Sequence, residues 1–386
     1  MSSANLFAVK RDAQSGDKMA EADSQRFSTG IMPAHALRGL IQAKEIQATS
    51  DITDAQIQPA SLDLRLGPVA YRVRASFLPG AKTVKEKLPE VALHEIDLTE
   101  GAVLETGCVY LVPLMEHLAL GYRVSATANA KSSTGRVDVF TRLVTDYSME
   151  FDRVESAYRG PLYAEISPRT FSVLVRAGSR LNQLRVRRGS PVFSDSALER
   201  LQQEVGVVKG EADIDHGIAL TVDLSGDGNE GLVGYRAKRH AGLIDMDKIA
   251  AYEAADFWDK LSAQDARAIV LDPQEFYILC SREAVSIPPE YAAEMVPYNP
   301  LVGEFRVHYA GFFDPGFGYS GAGGAGSRAV LEVRSHEVPF ILEHGQIVGR
   351  LVFERLIEPP ERLYGAALSS NYQGQGLKLS KHFKRG

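Results

Sequence analysis

Residues Ala60–Gly67 read ASLDLRLG, and residues Ala219–Gly226 read ALTVDLSG. Both alternate apolar and polar side chains and close on glycine, the pattern of a short strand ending in a turn. Working outward, the first copy is surrounded by further strand-like runs, YRVRASF, CVYLVPL and FSVLVRA. The second is surrounded by EFYILC, RAVLEVRS and RLVFERL. Longer stretches also parallel one another: LETGCVYLVPLMEHLALGYRVSATANA in the first half, LDPQEFYILCSREAVSIPPEYAAEMVP in the second. A repeat of roughly 150–160 residues is too long for a solenoid unit and indicates duplication of a whole domain. The fold class expected is mainly β, two homologous domains with a few short helices. Those helices are predicted at PAHALRGLIQAKEI, with Pro33 near its start, at SDSALERLQQEV, and at MDKIAAYEAADFWDKLS. The glycine-rich GYSGAGGAGS (Gly318–Ser327) reads as a hairpin connection or mobile loop. The boundaries read are a loose arm over 1–28, a first domain over 29–200, a second over 201–362, and a tail over 363–386.

Size and composition bound the function. The chain of 386 residues is long enough for two domains. Its formal net charge of −6 argues against a general nucleic-acid binder, which needs a basic surface for phosphates. Two cysteines far apart, Cys108 and Cys280, exclude a disulfide scaffold and fit a reducing compartment. No apolar run approaches the roughly 20 residues that span a bilayer, and no signal peptide heads the chain. A cytoplasmic protein without membrane contact is the expectation. The nine histidines show no pair at metal-ligand spacing.

Four stretches stand out for their chemistry. KSSTGR (Lys131–Arg136) sets two hydroxyls, a glycine and flanking cations within six residues. Such a string suits a polyphosphate, although Ser/Thr/Gly clusters also form plain turns. Asp314-Pro315-Gly316 predicts a tight turn between aromatic residues. Glu332, inside the apolar run AVLEV, either faces solvent or faces inward with a raised pKa and a task. The C-terminal SSNYQGQGLKLSK (Ser369–Lys381) lacks a core-forming period yet is patterned in Tyr, Gln and Gly. Asp63 and Arg65 read as a structural pair, and Trp258, in helix-like DFWDK, as packing.

Four segments in order, QIQPASLDLRLG (Gln56–Gly67), KSSTGR, the DPGF/VLE/GQIVGRLVFE block and NYQGQGLKLS, give the chain a resemblance. It resembles the dCTP deaminase branch of the dUTPase-like superfamily, in its long two-domain bacterial form. The resemblance implies distorted β-barrel domains with sites formed between neighbouring domains. It implies hydrolytic, zinc-independent deamination of dCTP to dUTP and ammonia, supplying dUTP for thymidylate synthesis. In keeping with it, the chain has no H-x-E…P-C-x-x-C pattern of zinc deaminases. Carried over by motif, Glu332 is the general base and acid, with Ser132 and Arg136 as further catalytic residues. Lys131, Ser133, Asp314, Gln346, Tyr364, Tyr372 and Gln375 bind substrate, the tail acting as a lid or packing on a neighbour. Lys131 stands where the family commonly has Arg and lacks its bidentate fork. Mg²⁺ is expected only with the triphosphate, dTTP is a candidate feedback inhibitor, and a homo-oligomer is expected.

The halves depart from the pattern in complementary ways. The first has MEFDRVESAYRG in place of the DPGF turn, with Glu165, in GPLYAEISP, matching Glu332. The second has PYNPLVGEF (Pro297–Phe305) in place of KSSTGR. One working site is therefore expected, with phosphate-binding residues from the first domain and base and lid from the second, within one chain or between two. A dUTPase or bifunctional deaminase and dUTPase is an alternative, although GFFDPGFGY lacks the second acid of a G-x-I-D-x-D-Y-x-G turn. A non-catalytic dNTP-binding regulator is another.

Overall fold

The structure is a computed structural model. It describes residues 27–227, 229–264, 267–297, 305–307, 311–335, 337–365 and 376–384. The architecture is mainly β with few short helices, and every strand-like run quoted above contains a strand.

The strand order of the first half recurs in the second. In the first, Val69–Val73, Val109–Ala119, Arg159–Pro168 and Val139–Thr145 lie side by side, with Ala92–Asp97 at the edge. In the second, Leu232–Ala237, Phe276–Val285, Ser327–Ser335 and Phe305–Val307 follow the same order, with Trp258–Ser262 at the edge. A companion sheet places Asn182–Arg188 beside Val124–Ala130 in the first half. Its counterpart places Ile347–Arg355 beside Tyr291–Pro297. Glu165 lies opposite Leu111, and Glu332 opposite Ile278, at matching places in their sheets.

Contacts tie the halves together. The second-half segment Ile244–Asp245 adds a parallel strand to Val173–Val175 of the first. One apolar cluster runs from Leu37 and Leu62 through Phe171 to Trp258, Phe276 and Phe383. Buried ion pairs cross as well: Arg334 holds Asp138 and donates to Thr170 Oγ1 at 2.9 Å, and Arg187 meets Glu354 at 3.1 Å.

Two local readings are corrected, and one helix is found that the sequence reading did not name. The helix expected over MDKIAAYEAADFWDKLS shrinks to Ala254–Phe257, and Trp258 opens a strand paired with Leu232–Ala237. Tertiary packing overrides propensity there. The indole meets Phe171, Phe276 and Phe383 at ring-centroid distances of 5.5, 6.0 and 5.9 Å. Conversely, Val84–Val91 is a helix despite Pro89, begun by a reciprocal capping box between Thr83 and Glu86. Finally, Asp63 and Arg65 do not pair with each other. Arg65 binds the fully buried Glu116 through Nε at 2.8 Å, while its backbone N–H donates to the other carboxylate oxygen at 2.8 Å. Gln56 Nε2 donates to the same carboxylate at 3.0 Å.

Removing the charge of Arg65 or Glu116 strands the other, buried charge, which costs about 3–5 kcal/mol. Glu116→Ala is therefore expected to lower unfolding stability by about that amount in chemical denaturation. A loss below ~1 kcal/mol would show that the network is not sealed from water.

Candidate active site

KSSTGR leaves the strand Val124–Ala130 and forms a single helical turn, Ser132–Gly135. The Lys131 carbonyl accepts from Thr134 N at 2.8 Å and from Gly135 N at 3.0 Å, and Ser132 O accepts from Arg136 N at 3.1 Å. This tight turn leaves Ser132 half-buried, buries Ser133, and aims Arg136 towards the second half. There Arg136 Nε stands 3.8 Å from Glu332 Oε1, both side chains about 95% enclosed (4% and 5% exposed). Glu332 thus faces inward. Burial is the main cause that pushes its carboxyl up to about 7, and the Arg136 guanidinium offsets part of that rise.

Cations gather beside this pair. Lys131 Nζ is bonded to the buried Asp63, with Arg180 3.7 Å from the same carboxylate. Lys381, from the C-terminal stretch, lies in the field of Lys131, Asp63 and Arg180, and its burial pulls the amine below its usual range. Asp314 begins the Asp-Pro-Gly turn, its Oδ1 3.2 Å from Nη2 of the fully buried Arg185. Arg185 also donates to Ala293 O at 2.9 Å and stacks over Phe312 at 4.0 Å. Burial raises the Asp314 carboxyl, with Arg185 opposing. Tyr364 closes over this turn: its backbone N–H donates to Pro315 O at 2.8 Å, and its ring lies 5.8 Å from Phe317.

The structure therefore brings Arg136 and Glu332 together, sets Lys131 on Asp63, and keeps Asp314 within the same electrostatic neighbourhood, since Asp63 and Lys131 both act on it. Gln346 is placed differently. It sits in the turn after Phe340–Glu343, where its side-chain oxygen accepts from Glu343 N at 2.8 Å and holds the turn between strands of two sheets. Tyr372, Gln375 and most of PYNPLVGEF lie outside the described residues. Sequence reading missed Asp63 as the partner of Lys131, and missed Arg185, Ser380, Lys381 and His382. Arg185 left no signal in the sequence: alternation with Leu184 and Val186 puts it on the opposite face of its strand, the face usually turned to water, and only the second half buries it.

Glu165, the counterpart of Glu332, is bound differently. Arg142 and Ser76 Oγ (3.1 Å) occupy its Oε1, and Phe77 N donates to Oε2 at 3.4 Å. Arg142 is itself clamped over Phe151 at 3.4 Å and Phe140 at 4.7 Å. Among the described residues, no three His, Cys, Asp or Glu side chains converge as a metal site, and no helix is long and apolar enough to cross a membrane.

A buried carboxyl pushed towards neutrality, with an arginine beside it and further cations nearby, is the kind of arrangement found in enzymes that move protons. Comparison with known proteins specifies the kind. The family models for the N-terminal and C-terminal domains of 2'-deoxycytidine 5'-triphosphate deaminase match residues 28–190 and 194–383. A protein of Beutenbergia cavernae named dCTP deaminase, dUMP-forming, is 32% identical over 151 residues, 37% of this chain and 74% of that one. A dCTP deaminase of Natronomonas pharaonis is 33% identical over 127 residues, 32% of this chain and 60% of that one. A crystal structure of 2'-deoxycytidine 5'-triphosphate deaminase from Agrobacterium tumefaciens is 59% identical with a TM-score of 0.83, covering 86% of this chain and all of that one (100%). The chain belongs to the dCTP deaminase family.

Infrared difference spectroscopy of wild type against Glu332→Gln is expected to place this carboxyl's titration near 7. Arg136→Met should move it higher, because the cation that favours the ionised form is gone. A midpoint in the ordinary glutamate range of about 4–5 would mean that water reaches the carboxylate.

Proposed function

We propose that the chain hydrolyses dCTP to dUTP and ammonia, with Glu332 as general base and then general acid. The observation that carries this reading is the enclosed Glu332 carboxyl, poised near 7, facing Arg136 at 3.8 Å. A base is most effective when its pKa lies near working pH, since it is then ionised yet still holds a proton firmly. In the proposed reaction Glu332 accepts a proton from water as its oxygen bonds to cytosine C4. It then delivers a proton to the exocyclic amine, and the C4–N bond breaks to release ammonia. Arg136 and Ser132 orient the water and the adjoining phosphate, and Lys131 and Ser133 bind the phosphate chain. Asp314, fixed by Arg185, and Tyr364 shape the nucleoside side.

Mg²⁺ fits this reading as an ion delivered by the triphosphate rather than a resident one, because Asp63, the carboxylate at the phosphate turn, is already engaged by Lys131 and Arg180. When bound, it would neutralise phosphate charge. We also read the recurring strand orders as two dUTPase-like barrels that arose by duplication, dividing one site between them. Arg136 and Glu332 meet within a single chain, which favours a site formed in cis. Glu165, held by Arg142 and Ser76, is assigned a structural part. Supply of dUTP for thymidylate synthesis, feedback by dTTP and assembly into a homo-oligomer follow as parts of the same proposal.

Metal-stripped protein supplied with dCTP and Mg²⁺ should release ammonia, with pyrophosphate assayed alongside to detect a dUTPase step. Glu332→Gln should lower ammonia release by about a hundredfold or more, whereas folded Glu165→Gln keeps most of it. Equal loss in both variants would sink the assignment, and release of pyrophosphate with ammonia would establish the bifunctional alternative.

A further inference from the structure

The stretch Leu377–Lys384 belongs to no sheet of the second half, yet Leu379, Ser380, His382 and Phe383 are buried where the two halves meet. It is anchored at its far end. Phe383 packs at 5.4 Å on Phe257 and 5.9 Å on Trp258, and the backbone of Ala250 and Ala251 donates to Lys381 O and His382 O at 2.9 Å each. From this anchor it reaches the phosphate turn at two points. Ser380 Oγ donates to Ser133 O at 2.8 Å, and Lys378 O accepts from Arg136 Nη1 at 3.0 Å.

Behind Ser380 stands His382, fully enclosed, its Nδ1 2.8 Å from Ser380 Oγ and its Nε2 3.1 Å from Met246 O. A carbonyl only accepts, so Nε2 carries the ring proton. Burial keeps the ring uncharged, its pKa pushed down to about 4 with Lys381 adding to the effect and Asp247 and Asp245 opposing it. Nδ1 is then an acceptor, and the single proton of the Ser380 hydroxyl is shared between two acceptors, Nδ1 and Ser133 O.

Resting on the dCTP reading above, we propose that Ser380, backed by His382, is a positioning residue of the site. It pins the Ser132–Gly135 turn and, through the adjoining Lys378 carbonyl, sets Arg136 against Glu332. The stretch is thus a strap that closes the phosphate side from behind, and it brings Lys381 to the Lys131–Asp63–Arg180 cluster. Neither Ser380 nor His382 touches the reacting atoms. Their effect passes through the turn to phosphate binding, and through Arg136 to the ionisation of Glu332.

The test uses the full chain with dCTP and Mg²⁺, reading kcat and KM across pH for wild type, Ser380→Ala and Ser380→Thr, with thermal melting alongside. Ser380→Ala is expected to raise KM roughly tenfold, the scale of one buried hydrogen bond. It should also shift the acid limb of kcat upward, because a loosened Arg136 favours the carboxylate less. Ser380→Thr, which keeps the hydroxyl, should restore both. Wild-type KM and pH profile in folded Ser380→Ala would overturn the proposal, as would equal loss in the threonine variant. If Ser380→Ala does not fold, His382→Asn takes its place with the same readouts and the same overturning result. If wild type binds dCTP without releasing ammonia, the deaminase reading fails by itself. Calorimetric affinity then decides the strap: a roughly tenfold weaker Ser380→Ala supports it and an unchanged affinity overturns it. No dCTP binding by wild type would remove both.

Discussion

A carboxylic acid enclosed by apolar strand residues resists ionisation, and a guanidinium beside it favours ionisation; at Glu332 the two tendencies meet near neutrality. That balance is a matter of ångströms, because the Coulomb attraction of Arg136 falls off with distance while the cost of burial does not. The residues belong to different halves of the chain, so the packing between halves sets the acidity of the site. The seam is accordingly built from interactions that resist sliding. Arg334 grips Asp138, two residues past Arg136, and Arg185 runs from a first-half strand to Ala293 O and Asp314 in the second. Breaking either would leave a buried charge without its partner, a far larger penalty than the loss of a surface contact.

The two equivalent glutamates show how the same backbone position yields different chemistry. Glu165 and Glu332 occupy matching places in matching sheets, and each has an arginine nearby. At Glu165 the arginine comes from the adjacent strand: Arg142 lies directly opposite in the ladder, with two phenylalanines fixing its plane. Together with Ser76 and Phe77 N it engages both carboxylate oxygens, leaving little lone-pair capacity for water. At Glu332 the arginine comes from the other half and stops at 3.8 Å, beyond a direct hydrogen bond. That difference is what the proposed division of roles rests on: a base has to keep an oxygen open to the proton it removes, and a structural carboxylate does not.

Much of this was legible in sequence because period and turn chemistry are local. The alternation in ASLDLRLG and AVLEV marks strands whatever they pack against, and the Ser-capped start of SDSALERLQQEV marks a helix. Residue type at KSSTGR and AVLEV singled the segments out and left their roles open; the roles of Arg136 and Glu332 came from the resemblance carried by the motifs in order. Their meeting was not readable, nor was the choice of partner at Asp63, which takes Lys131 across the fold rather than its neighbour Arg65. MDKIAAYEAADFWDKLS failed for the same reason: a helical composition was overruled by an aromatic cluster to which Phe171, Phe276 and Phe383 contribute from afar. Pairings set by distant segments leave no periodic trace.

The end of the chain illustrates the limit most sharply. LKLSKHF has no period of its own, and as a tail it invites a reading as a mobile cover. Yet its serine, histidine and phenylalanine are among the more enclosed groups of the molecule, because the first half offers a carbonyl at Ser133 and the second half another at Met246 and an aromatic pocket around Trp258. A segment without internal hydrogen bonding becomes ordered when each polar group finds a partner already in place. The same bonds that order the strap restrain the turn it lies on, so the entropy lost in fixing the last residues is offset where the phosphate segment must hold its shape. On this view the second half contributes more than a carboxylate: it returns to the first half to brace the cations that the carboxylate needs.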